Sequence, residues 1–209
     1  GSRGSVAFRL GDLEQACGWC EAAVDVQTGE TGSTLAIWLG SLGLTMSELG
    51  QFDKAREYYQ RAYDLAGQNS DPLTMSICRG SIGNICFEQK QYKEAQICYD
   101  QAQDLAKQAG DARRHGIWVG NIGISLSRQG DQDTAQQKLK EALAIAESVG
   151  DKQSMAAHLD SLGDCLKEIG DHRASDSYYR QAIELAQETL DRLGERIYLS
   201  NLARLKRDS

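Results

Sequence analysis

The chain is short of the features that break helices, cross membranes or hold nucleic acid. Its 209 residues contain one proline, Pro72, so the strongest helix breaker is almost absent. No uninterrupted apolar run approaches the ~18 residues that a membrane-spanning helix needs. Positive charge is also scarce: 23 Lys and Arg stand against 30 Asp and Glu, giving a net charge of −7 and a pI near 5.0. That balance disfavours a nucleic-acid surface. Basic residues gather only near the C-terminus, at Arg192, Arg196, Arg204, Lys206 and Arg207, and read as the solvated face of a terminal helix. No secretory signal opens the sequence, and the leading Gly1-Ser2 reads as a tag remnant.

Recognisable reaction chemistry is missing as well. No Gly-rich phosphate loop follows a strand, and no Ser/His/Asp order falls on strand-to-helix turns. The three histidines, His115, His158 and His172, occupy unrelated places and read as surface or boundary packing. Cys17 and Cys20 have the CxxC spacing of redox and zinc sites, yet they fall within a helical pattern and have no second ligand pair. They read as packing residues. Cys17, Cys20, Cys78, Cys86, Cys98 and Cys165 do not make the disulfide framework of a small secreted domain, so a reduced, cytoplasmic setting is expected. Catalytic, cofactor and metal sites are not expected.

What the sequence does have is 21 glycines, many of them in register. Gly43, Gly83, Gly123 and Gly163 recur every forty residues, each after an aliphatic residue: Leu42, Ile82, Ile122 and Leu162. Ala62, Ala102, Ala142 and Ala182 keep the same period, as do Leu65, Leu105, Ile145 and Leu185. Asp71, Asp111, Asp151 and Asp191 close the units. Four units without an insertion define four equivalent modules.

Inside each unit the apolar spacing is helical, as in Ala95, Tyr99, Ala102 and Ala106. A break at Gly50, Lys90, Gly130 and Gly170 divides it into a first and a second helix. Glycine can adopt the left-handed conformation that ends a helix, so Lys90 should make a costlier turn. Asp131 and Asp171 can cap the second helices, and the closing aspartates the following first helices. Pro72 suits the first helical position. Ala55, Ala95, Ala135 and Ser175 let paired helices approach, and Tyr59, Tyr99, Leu139 and Tyr179 are expected to fill the space between layers.

The run SLGLTMSELGQFDKAREYYQRAYDLA, with Leu/Ile-Gly in the first helix and Ala, Tyr, Ala and Leu-Ala in the second, resembles the tetratricopeptide repeat. The forty-residue unit lacks the closing proline of the usual 34-residue form. It is similar to the longer variety of Pins/LGN-type adaptors and of bacterial Rap-type and sensor arrays. The resemblance implies an all-α, right-handed superhelical solenoid of stacked antiparallel helix pairs. Its expected divisions are a degenerate or truncated repeat at 1–32, repeats at 33–72, 73–112, 113–152 and 153–192, and a C-terminal capping helix at 193–209.

The same resemblance places a ligand groove on one face of the first helices. The expected lining is Ile37, Gly40, Leu44, Ile77, Gly80, Asn84, Phe87, Ile117, Gly120, Asn121, Ile124, Arg128, Asp160, Asp164 and Lys167. The first glycines, Gly40, Gly80 and Gly120, are either tight packing points or an open groove floor. The isoleucines are either covered by the next layer or part of an apolar stripe. Glu48, Glu88, Glu168 and Arg128 would rim the groove and favour a mixed or mildly basic ligand. The expected role is therefore a non-enzymatic scaffold or adaptor that holds a peptide or helix of another protein, without nucleic-acid or membrane partners. The alternative is a sensory or regulatory segment of a larger signalling protein. Self-association through an array end is a third expectation.

Overall fold

The computed structural model describes residues 32–208, which form nine helices and no strand. They are α1 (Gly32–Glu48), α2 (Phe52–Gln68), α3 (Pro72–Glu88), α4 (Tyr92–Gln108), α5 (Ala112–Gln129), α6 (Gln132–Ser148), α7 (Lys152–Glu168), α8 (His172–Glu188) and α9 (Arg192–Asp208). The Cys17–Cys20 pair and, apart from Gly32, the degenerate repeat expected at 1–32 lie outside the described residues.

Turn chemistry sets the helix boundaries. Gly50, Gly130 and Gly170 adopt φ of 72°, 92° and 82°, and Lys90 is forced to 61°. A side chain in that region costs about 1 kcal/mol, so the one mid-unit turn without glycine is strained as its sequence implies, and Ser70 and Leu190 carry the same strain at closing turns. The backbone closes these ends in the same way at Gly50 and Lys90: the amide of Gln51 donates to Met46 O and that of Gln91 to Cys86 O, both at 2.8 Å. At the next helix start, the carboxylates of Asp71, Asp111, Asp151 and Asp191 accept the amides of Thr74, Arg114, Ser154 and Gly194. Asp131 and Asp171 cap α6 and α8 in the same manner, whereas Gln51 and Gln91 make no side-chain cap.

The helices pair as α1/α2, α3/α4, α5/α6 and α7/α8, and α9 packs on α8 and α7. Within each pair the second glycine of the motif lets a large side chain of the partner helix lie against the backbone. A Cβ at Gly43, Gly83 or Gly163 would come within 2.8, 2.6 or 2.7 Å of the rings of Tyr59, Tyr99 and Tyr179, and one at Gly123 within 2.9 Å of Leu139. These large residues thus fill space inside a layer, not chiefly between layers as their sequence spacing suggests. Tyr99 does both, since its ring also stacks on Trp118 at 6.1 Å.

First helices of successive layers touch one another (α1 with α3, α5 with α7, α7 with α9), and no comparable contact joins the second helices. A stack that is tighter on one side curves toward that side. The inner face is therefore built from α1, α3, α5, α7 and α9. On α9, Tyr198, Leu202 and Leu205 are buried against the preceding layer. Arg196 and Lys206 are exposed at the places where Ala156 and Leu166 are buried one period earlier. The outer side of α9 mixes these charges with the exposed Leu193, Ile197 and Leu199.

Candidate functional site

The first-glycine column belongs to layer packing at two of its three positions. A Cβ on Gly80 would run into the ring of Trp118, and one on Gly120 into the imidazole of His158, thirty-eight residues later in each case. A Cβ on Gly40 would meet nothing within 4 Å. Gly80 and Gly120 are therefore sockets for side chains of the next first helix, and of the open floor expected from sequence only Gly40 has free space above it. Asp160 fills the fourth socket. It is held from α9 by Asn201 Nδ2, which donates to both carboxylate oxygens at 3.0 and 3.1 Å. Burial pushes its pKa up to about 6, against the lowering effect of the Asn201 hydrogen bond.

The isoleucine column divides as well. Ile37 is 57% exposed. Ile77 is half-buried, and Ile117 packs against the core of the first layers. Phe87 is half-buried, set edge-on to Tyr92 with centroids 5.2 Å apart. Leu44 is 55% exposed on the inner face.

One turn further along the first helices, the expected residues converge. Asn84, Phe87 and Glu88 of α3, Tyr99 of α4, and Asn121 and Ile124 of α5 line a depression of ≈ 270 Å³. Its walls are partly fixed by the Tyr99 hydroxyl, which donates to Asn84 Oδ1 at 2.8 Å. That bond leaves the Asn84 amide nitrogen free to donate into the depression. Ile124 also belongs to a second depression of ≈ 190 Å³, which continues along α5, α7 and α9 and contains Ser127, Arg128, Ser161, Asp164, Lys167, Glu168 and Arg204. The two hollows adjoin through a single shared side chain.

The second hollow is ionic. Asp164 accepts the Tyr179 hydroxyl at 2.6 Å, and Lys167 Nζ lies 3.7 Å from the same oxygen. Burial, with the hydrogen bond to Asp164 second, pushes the Tyr179 phenol far above its ordinary range. Arg128 and Arg204 form no ion pair among the described residues. The Cys165 thiol in the wall is pushed up by burial, so it is a poor nucleophile there. Arg204, which the sequence assigns to a solvated end, stands one period after Asp164 and so falls on the groove column. That period was the available signal. Among the described residues no three His, Cys, Asp or Glu side chains gather as a metal site, and no helix is long and apolar enough to cross a membrane.

A stack of antiparallel helix pairs with a continuous inner groove defines the helical-repeat class of interaction proteins. This chain belongs to the tetratricopeptide repeat family: one tetratricopeptide repeat profile matches residues 1–68 and 75–148, and a second matches 159–189. No curated protein matches the sequence. Among solved structures, it is similar to aspartyl phosphate phosphatase F from Bacillus subtilis, with a TM-score of 0.81 and 18% identity over 94% of this chain and 52% of that one. A Rap protein complexed with competence and sporulation factor gives 0.77 and 18%, covering 97% of this chain and 60% of that one. The third is a signal transduction ATPase with numerous domains and a tetratricopeptide repeat sensor, from Pyrococcus horikoshii. It gives 0.78 and 14%, covering 94% and 30%. The array is thus a right-handed superhelical solenoid, and it spans about half or less of the length of two of these neighbours.

Proposed function

We propose that this chain is a non-catalytic scaffold whose inner face holds a peptide or helix of a partner protein. The observation that carries this reading is the pair of adjoining hollows on α3, α5 and α7. They gather Asn84, Phe87, Asn121, Ile124, Arg128, Asp164 and Lys167 into one strip. Such a strip offers apolar contact, amide groups for a bound backbone and charges for register, which is how extended or helical segments are recognised. The neighbour complexed with competence and sporulation factor shows a protein of this fold holding a ligand.

The test is a selection of peptides on the purified chain, followed by binding to surface variants. Leu44→Asp combined with Arg128→Glu changes exposed inner-face residues and leaves the core intact. Ile97→Asp alters a residue 56% exposed on α4. Binding should be lost in the first variant and kept in the second. The opposite pattern, with both variants folded by circular dichroism, would place binding on the second helices and end the proposal.

A regulatory segment of a larger signalling protein is the second reading. It is favoured by the neighbours in which an array of this size occupies only part of the chain. Self-association would use the exposed Leu190, Leu193 and Ile197 at the last turn and on α9. A sedimentation coefficient independent of concentration would rule it out.

A further inference from the structure

We infer that the segment held in this groove is acidic, with an apolar side chain seated beside Phe87 and Ile124 and a carboxylate received by Arg128 and Arg204. The inference rests on the groove reading above and adds the partner's charge and spacing.

The argument begins with charge pairing. In the ionic hollow, the Asp164 carboxylate is already engaged by Tyr179 and Lys167. Glu168 lies at the exposed edge. Arg128 and Arg204 come from helices two layers apart, reach one cavity, and have no anionic partner among the described residues. A guanidinium presents a fork of donors matched to a carboxylate, and two of them around one cavity, against the single Glu168 left unpaired among the described residues, favour an anion over a cation. The chain as a whole carries −7, so an acidic segment is repelled elsewhere and admitted here. That contrast gives selectivity as well as attraction.

The adjoining hollow supplies the other half. It holds the aromatic edge of Phe87, the side chain of Ile124 and two asparagines. Packed helices lie about 8–10 Å apart, so the centres of the hollows are roughly 10–15 Å apart. An extended chain advances about 3.3 Å per residue, which sets the apolar and acidic residues roughly three to five positions apart. From sequence alone the glutamates of the rim suggest a mixed or mildly basic ligand. Arg204 entering the cavity reverses that preference at this end of the groove.

The experiment is an array of twelve-residue peptides built on Gly, Ser and Thr. Each carries one Leu and one Glu, Lys or phosphoserine at separations from one to eight. The wild-type chain, the Arg128→Glu/Arg204→Glu variant and Leu44→Asp are compared on it. Both arginines are exposed, and circular dichroism checks the fold of each variant. The inference predicts retention of Leu/Glu peptides with a maximum at separations of three to five, and loss of at least about tenfold in affinity on double charge reversal. Retention of the Lys set, or of the Glu set without sensitivity to charge reversal, overturns it. So does a phosphoserine preference above about tenfold. If charge is indifferent but Leu44→Asp abolishes binding, the groove reading stands and the acidic assignment falls. If no peptide depends on any of these residues, both fall.

Discussion

Two interfaces between layers use the same geometry with opposite success. Between α3 and α5, Trp118 enters the socket at Gly80, and its Nε1 donates to Ser76 Oγ at 3.0 Å. Ser76 passes the chain on by donating to Ala102 O at 2.7 Å. One layer later His158 enters the socket at Gly120, but the position equivalent to Ser76 is Gly116, which has no hydroxyl. His158 is 6% exposed, and its Nε2 has no hydrogen-bond partner. A repeat can therefore conserve shape from layer to layer while the polar accounting succeeds in one and fails in the next. Burial, against the weaker pull of Asp151, accordingly drives the His158 pKa down to about 4.

The sharpest way to break the better interface is Gly80→Ala. The added methyl meets a rigid buried indole, so a loss of 3 kcal/mol or more is expected, at the upper end of overpacking costs that are usually about 1–3 kcal/mol. Urea denaturation followed by circular dichroism measures it, and a split into two transitions would show the array divided at that point.

The weaker interface is read by pH. His158 is neutral in the folded chain down to about pH 4, whereas in the unfolded chain it takes up a proton near 6.5. Its contribution is full above pH 6.5 and lost as pH falls toward 4, worth up to about 3 kcal/mol. His158→Phe should remove that acid slope while leaving stability at pH 7.5 unchanged or raised. An unchanged slope in the variant would refute the assignment.

Asp160 behaves in the reverse sense. Its pKa is raised from 3.8 to about 6, so the folded chain holds a proton that the unfolded chain has released. The contribution is present below pH 3.8 and lost as pH rises through 6. Asp160→Asn keeps an acceptor for Asn201. It should stabilise by up to about 2–3 kcal/mol at pH 7.5 and by nothing near pH 4. Equal effects at the two pH values would contradict this.

Ser76→Ala strands the Trp118 donor and should cost about 1–3 kcal/mol, with little pH dependence. The smallest effect, opposite in sign to Gly80→Ala, is expected from Gly40→Ala. It fills open space in a helix and should stabilise by about 0.5–1 kcal/mol, read as a rise in Tm.

Much of this is legible in the sequence because a period constrains every layer at once. The positions of the turns, the aspartate caps and the strain at Lys90 follow from local chemistry, which needs no knowledge of neighbours. The sockets do not. They depend on how far one layer is offset along the next, and the spacing that reveals them, from Gly80 to Trp118 and from Gly120 to His158, is two residues short of the repeat. The placement of Tyr59 and Tyr179 inside a layer was hidden for the same reason, since periodicity identifies a buried residue without saying which neighbour buries it. For the candidate site, the period aligned Asn84 with Ile124, and the family resemblance put them on the groove face together with Asn121. Arg204 was missed because a charge near a chain end looks solvated until a cavity is found beneath it.

The socket column also fixes the sequence of the layers along the rod. Each filled hole is matched to one visitor: an indole over Gly80, an imidazole over Gly120, a phenol beside Asp160. Exchanging two layers would push an indole onto a carboxylate, or leave a void where a ring belonged. Although the modules share one backbone, they are keyed like numbered staves and join in a single order.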